Sequence, residues 1–145
     1  MDRIERLVVE EGVMTVGAYS LYGATALTSV ELPDTLTEIN SNAFVECTSL
    51  EAITLPGSLV KLGWKAFYGS GLKEIEIPAS VTNMGTWVFA ECRDMERVTI
   101  AFGMWTLGER AFSGCRKLTE VSYPAGMSFG KNAFHNCPWW ADWER

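Results

Sequence analysis

Residues 27–50 read LTSVELPDTLTEINSNAFVECTSL, and the apolar template inside them is Leu27, Val30, Leu32, Pro33, Leu36, Ile39, Ala43, Phe44, Cys47, Leu50. The same template returns along the chain in units starting at Ile4, Leu27, Leu50, Leu72, Met95 and Leu118, at spacings of 23, 23, 22, 23 and 23 residues. Trp140 falls where a seventh unit would start. A unit this short cannot bury its own apolar face, so neighbouring units must stack, and the period predicts a repeat solenoid of about six coils. Function is therefore sought on a surface.

Within each unit the segments Leu7–Val9, Val30–Leu32, Ile53–Leu55, Ile75–Ile77, Val98–Ile100 and Val121–Tyr123 alternate inward and outward, the period of a strand. Proline follows in four units (Pro33, Pro56, Pro78, Pro124) and ends the ladder, because its nitrogen carries no donor; Glu10 and Ala101 take the other two places. Parallel stacking at about 4.8 Å per coil would make one continuous sheet roughly 25 Å long. A second column holds Gly17, Asn40, Gly63, Gly85, Gly108 and Gly130, residues that tolerate positive φ, which predicts a left-handed turn at that point in every coil. A third holds Leu21 and then Phe44, Phe67, Phe89, Phe112 and Phe134, each after a smaller residue, and reads as an aromatic spine. Ala-Phe-x-x-Cys leaves room for only a short helical or 3-10 turn per coil. Two units run one residue short, between Phe67 and Leu72 and between Met127 and Phe129, where turns absorb the loss.

The 145 residues fit one domain, with 48% hydrophobic and 21% charged residues, and the composition is that of a folded chain. A net charge of −6, with no basic cluster longer than Arg116-Lys117, argues against nucleic acid as a partner. No apolar run approaches a membrane span, and Met1–Arg6 does not read as a signal peptide. The first repeat begins at residue 4, which leaves little room for an N-terminal cap; a piece of a longer protein, a short divergent member and a protomer that stacks through this end all fit. At the other end residues 138–145 carry Trp139, Trp140 and Trp143, read as a lid over the last coil in preference to an exposed aromatic patch.

These columns closely resemble the BspA-type leucine-rich repeat family, whose unit runs roughly L-x-x-[IV]-x-[IL]-P-x-[ST]-[VL]-T-x-I-G-x-x-A-F-x-x-C-x-x-L. Residues 72–92, LKEIEIPASVTNMGTWVFAEC, nearly reproduce it, and the resemblance covers residues 4 to 137. It implies a right-handed superhelix of parallel strands. It also implies secreted or cell-surface proteins of host-associated bacteria and some protists, some of which bind matrix proteins or other cells. The family carries no shared active site, and no anchoring or immunoglobulin-like segment is read in this sequence.

Catalytic and metal-binding readings are weak. Cysteines share one column with small residues (Ala24, Cys47, Ser70, Cys92, Cys115, Cys137), so packed thiols are preferred over a Cys92–Cys115 or Cys115–Cys137 disulfide. Zinc is disfavoured by the absence of a C-x-x-C pair and by a single histidine, His135, whose pairing with Cys115 rests on proximity alone. No phosphate loop or hydrolase motif occurs, so no cofactor, no metal and no enzyme activity are expected.

Two surfaces remain. The outward strand positions form one column of Arg6, Ser29, Ala52, Glu74, Arg97 and Glu120 and a second of Val8, Glu31, Thr54, Glu76, Thr99 and Ser122. Their polar members are the candidate contacts for a protein partner, against the plainer reading of a solvated face with a Glu74–Arg97–Glu120 ladder. The alternative surface is aromatic: Trp64 and Trp87 follow the glycine column, and Trp105 projects from a position shared with Thr37, Val60, Thr82 and Ser128, where sugars could stack. The expected function is a non-catalytic interaction module that engages a matrix or cell-surface protein through the strand face, with adhesion the role implied by the resemblance. The alternatives are an element that stacks end to end, with weak self-association, and a carbohydrate-binding surface.

Overall fold

The computed structural model describes residues 3–101, 103 and 106–143, and for residues 141–143 the backbone alone. Every coil but the third contributes two short strands. These are β1 (Arg6–Val8) and β2 (Thr15–Val16), β3 (Ser29–Glu31) and β4 (Glu38–Ile39), then β5 (Lys61–Leu62) alone in coil three. Coils four to six supply β6 (Glu74–Ile77) and β7 (Asn83–Met84), β8 (Arg97–Ile100) and β9 (Thr106–Leu107), and β10 (Glu120–Ser122) and β11 (Ser128–Phe129). One short helix, α1 (Pro138–Trp143), follows. Every pairing is parallel and joins one coil to the next, so the molecule is a parallel β-solenoid with little helix.

The sequence predicts one continuous sheet on the strand side, and the structure corrects this. β1 pairs with β3, and β6, β8 and β10 form a separate three-stranded sheet. The intervening segment at residues 52–55 is unladdered on both sides, although Ile53 and Leu55 still point into the core. A second side of the coil, unread from the sequence, carries the two-residue ladders β2-β4-β5-β7 and β9-β11. There Thr106 pairs with Ser128, which therefore does not share the position of Thr82. The missing residue of the last coil lies immediately before Ser128.

The third side is a turn edge closed by i→i−3 hydrogen bonds, such as Ala66 N–H to the Gly63 carbonyl at 3.1 Å and Ser70 N–H to the Phe67 carbonyl at 3.1 Å. Interleaved with them are bonds that reach to the next coil. Lys65 N–H donates to the Thr86 carbonyl (3.1 Å), Phe67 to Val88 (2.9 Å) and Gly69 to Ala90 (2.9 Å). The turn edge is thus a third inter-coil ladder, which satisfies backbone groups that no ordinary strand could reach there.

The left-handed residues sit on this edge, not in the glycine column. Positive φ occurs at Tyr19, Asn42, Lys65, Trp87, Arg110 and Asn132, and again four places later at Gly23, Glu46, Gly69, Glu91, Gly114 and Asn136. The glycine column keeps ordinary φ and is small for another reason. A Cβ on Gly63 would lie 2.6 Å from the Ser41 nitrogen and 2.8 Å from the Asn40 carbonyl carbon; one on Gly108 would lie 2.6 Å from the Gly85 oxygen. From coil three onward the coils approach one another backbone to backbone at this corner and only a hydrogen fits, whereas in the first two coils Gly17 would meet only Ser20 of its own coil and Asn40 carries a side chain.

The core between the three sides is the aromatic spine. Phe44, Phe67, Phe89, Phe112 and Phe134 stack nearly parallel, with centroids 5.1, 5.3, 5.1 and 5.6 Å apart. At the C-terminal end Trp139 packs edge-on against Phe134 at 4.8 Å and Trp140 lies 6.1 Å from the same ring, so α1 brings two of the expected lid residues over the last coil. The side chain of Trp143 lies outside the described residues.

Candidate interaction surfaces

Nine of the ten polar strand-face positions are exposed, and Ser29 is half-buried. Register places them in rows: Arg6 beside Ser29, Glu74 beside Arg97 and Arg97 beside Glu120. Arg6 bonds diagonally to Glu31 at 3.1 Å, and Arg97 donates to Glu74 at 2.9 Å, which with the attraction of the same carboxylate holds the guanidinium above its usual pKa. The predicted three-membered ladder is therefore a Glu74–Arg97 bond with Glu120 in register beyond it. Both side chains of that bond are about half exposed, so its contribution to stability is small.

The unladdered segment changes the shape of this face. Ala52 and Thr54 are short, while Glu74, Glu76 and Arg97 on the next coils are long, and a groove of about 290 Å³ opens between them with Thr99 at its far rim. Five sequence-predicted residues, Thr54, Glu74, Glu76, Arg97 and Thr99, line it. Arg6, Ser29, Glu31, Glu120 and Ser122 lie outside it. Glu76 has no ion-pair partner among the described residues.

The aromatic surface is arranged differently from the expectation. Trp64 and Trp87 are one template position apart, and Trp87 occupies the left-handed column with Lys65 and Arg110. Lys65 Nζ lies 4.6 Å from the centroid of Trp64, 4.9 Å from Tyr68 and 5.9 Å from Trp87, and the Arg110 guanidinium carbon is 5.0 Å from Trp87. Ring faces read as open are thus partly covered by cations. Lys65, Tyr68 and Arg110 escaped the sequence reading, although their places in the turn columns could have signalled them. Trp105 lies outside the described residues.

The cysteine column is packed. Cys47, Cys92, Cys115 and Cys137 are free thiols in the core, donating to the carbonyls of Leu21, Phe67, Phe89 and Phe112 at 3.0 to 3.3 Å. His135 is exposed on the turn edge while Cys115 is fully enclosed, so the two make no catalytic dyad. Burial pushes the Cys47 thiol up to about 11 and that of Cys115 well above its ordinary value. Folding favours the neutral thiol, so this contribution to stability is complete below pH 9.0 and is lost as pH rises towards about 11. A disulfide-exchange reagent at pH 8 is expected to leave all four thiols unmodified in the folded chain and to titrate them in denaturant. Rapid labelling without denaturant would contradict the packing.

A solenoid with these columns has a known counterpart in sequence: the profile of the BspA type leucine rich repeat region matches residues 14–139 in six copies. The chain belongs to the BspA-type leucine-rich repeat family. Among solved structures it is similar to a leucine rich repeat protein of T. pallidum, with 34% identity, a TM-score of 0.88 and coverage of 92% of this chain and 64% of that one. A leucine-rich repeat protein from Bacteroides ovatus gives 26% identity and a TM-score of 0.83, covering 94% of this chain and 42% of that one. A leucine rich cell surface protein from Faecalibacterium prausnitzii gives 30% identity and a TM-score of 0.75, covering 92% of this chain and 40% of that one. The chain therefore spans less than two thirds of each of these proteins. No curated protein matches it in sequence.

BspA-type repeats form interaction or surface modules and are generally non-enzymatic. Among the described residues no helix is long and apolar enough to cross a membrane.

Proposed function

We propose that the chain is a non-catalytic protein-interaction module that engages a matrix or cell-surface protein through its strand face, centred on the groove of coils three to five. The observation that carries this reading is the groove itself. It combines an unladdered backbone floor with a wall formed by Glu74, Glu76 and Arg97. The carboxylate of Glu76 is exposed and without an ion-pair partner among the described residues, which favours a partner segment bearing lysine or arginine. Display at a cell surface is supported by the likeness to the Faecalibacterium prausnitzii cell surface protein.

The test is binding of the purified chain to a panel of extracellular-matrix proteins, repeated with Glu76→Lys. Charge reversal in a partner-facing groove is expected to weaken binding by about tenfold or more. A bound matrix protein whose affinity ignores Glu76→Lys would rule the groove out.

A second reading, self-association through the first coil, is favoured by one observation. Among the described residues the exposed large apolar side chains concentrate there: Ile4, Val8, Val13, Met14, Tyr19 and Tyr22. Light scattering that returns a monomer at high concentration would remove it.

A further inference from the structure

The turn edge of coils three to five carries a row of residues that the strand-face reading leaves unused. Lys65, Trp87 and Arg110 hold left-handed backbone in three successive coils, with φ of 55, 63 and 54°. The same column holds Asn42 and Asn132, a residue type that adopts this conformation far more readily than tryptophan. Tyr19 carries the same conformation in the first coil, so the backbone belongs to the repeat, and it is the side chains of coils three to five that differ.

What these side chains form is a pair of cations around one ring. Trp87 is approached by Lys65 from the preceding coil and by Arg110 from the following one, and Lys65 is also gathered between Trp64 and Tyr68. Both cations are half-buried; the Arg110 side chain is 31% exposed, against 66% for Arg6 on the strand face. Elsewhere Arg6, Lys73, Arg97 and Lys117 each close on a carboxylate at 2.9 to 3.4 Å. Lys65 meets no carboxylate within ion-pair distance among the described residues, and Arg110 reaches only its chain neighbour Glu109, at 3.8 Å. An aromatic ring fixes a cation in place without neutralising it, so Lys65 remains available to an anion, Arg110 is shared only with Glu109 at 3.8 Å, and both side chains are already ordered.

Beside Lys65, Trp64 is 44% exposed, a flat apolar ring 4.6 Å from one fixed positive charge, with Arg110 beyond Trp87 on the same edge. A small inorganic anion would leave that ring unused, and a neutral sugar would leave the charges unmet. We propose that the turn edge formed by Trp64, Lys65, Trp87 and Arg110 binds an acidic oligosaccharide, one ring stacked on the Trp64 indole with its carboxylate or sulfate on Lys65, and a further acidic unit on Arg110 beyond Trp87. The overall charge of −6 gives no long-range attraction for such a ligand, so recognition is local and rests on these residues.

The experiment titrates the full chain with a uronate hexasaccharide, a heparin-derived hexasaccharide, neutral maltohexaose and sodium sulfate, reading tryptophan fluorescence and calorimetric heat. Variants Lys65→Asn and Arg110→Asn place in the column a residue it already carries, which protects the fold; their melting curves are recorded alongside. Saturable, salt-sensitive binding of at least one acidic hexasaccharide is expected, weakened about tenfold by either variant. Three results would overturn the proposal: no saturable binding of either acidic sugar at low salt, equal binding of maltohexaose, or affinity that both asparagine variants leave intact. Complete displacement by sulfate at equal charge would likewise reduce the site to a simple anion contact and overturn it.

Discussion

Phe67→Ala is expected to cost about 3–5 kcal/mol, at the upper end for a single side-chain truncation. Its ring is fully buried and stacked on both faces, 5.1 Å from Phe44 and 5.3 Å from Phe89 at interplanar angles of 5° and 8°. Truncation removes two aromatic stacks and leaves a void that the flanking coils cannot readily close, because the β4-β5-β7 ladder and the turn-edge ladder hold them at a fixed rise. For a chain of this length the loss corresponds to a fall in melting temperature of roughly 10 °C. Repeat proteins unfold by neighbour-to-neighbour coupling, so the melt is also expected to split as the coils on either side of the cavity decouple. Circular dichroism against temperature reads both effects, and a shift of only a degree or two would contradict the stacked spine.

Gly63→Ala is the second large effect, and its comparison with Gly57→Ala separates two roles of glycine. A methyl on Gly63 would meet backbone atoms at 2.6 and 2.8 Å, and backbone cannot rotate aside as a side chain can. The corner between coils two and three must open, at a cost of about 3 kcal/mol, the upper end of ordinary overpacking. At Gly57 nothing lies within 4 Å of the added carbon and φ is not positive, so the same substitution is expected to be neutral or to stabilise by about 0.4–1 kcal/mol. Urea midpoints of the two variants check the pair. If Gly63→Ala were as mild as Gly57→Ala, the glycine column would have to be explained by something other than coil-to-coil approach.

Much of the candidate site was legible because strand alternation is local. Glu74, Glu76, Arg97 and Thr99 were assigned outward from a period of two, and all four are exposed. The groove they line was not legible, since it exists only because residues 52–55 fail to ladder with their neighbours. The turn tryptophans illustrate the same limit. Trp64 and Trp87 were recognised as surface aromatics, but the cations covering them come from Lys65 and Arg110, one of them on a different coil from each ring it touches.

By itself the sequence determined the solenoid, the length of its coil, the phenylalanine spine, the packed cysteine column and the outward side of each strand. These follow from a 22- to 23-residue period and from which side chains avoid water, and both are properties of residue type and spacing. Tertiary structure alone decided the second ladder, the break in the strand-side sheet, the cation pairs on the turn edge and the reason for the glycine column. Glycine permits both a left-handed backbone and a close approach, so its presence could not say which was needed. Only the neighbouring coil, by putting the Ser41 nitrogen where a Cβ of residue 63 would stand, chose between them.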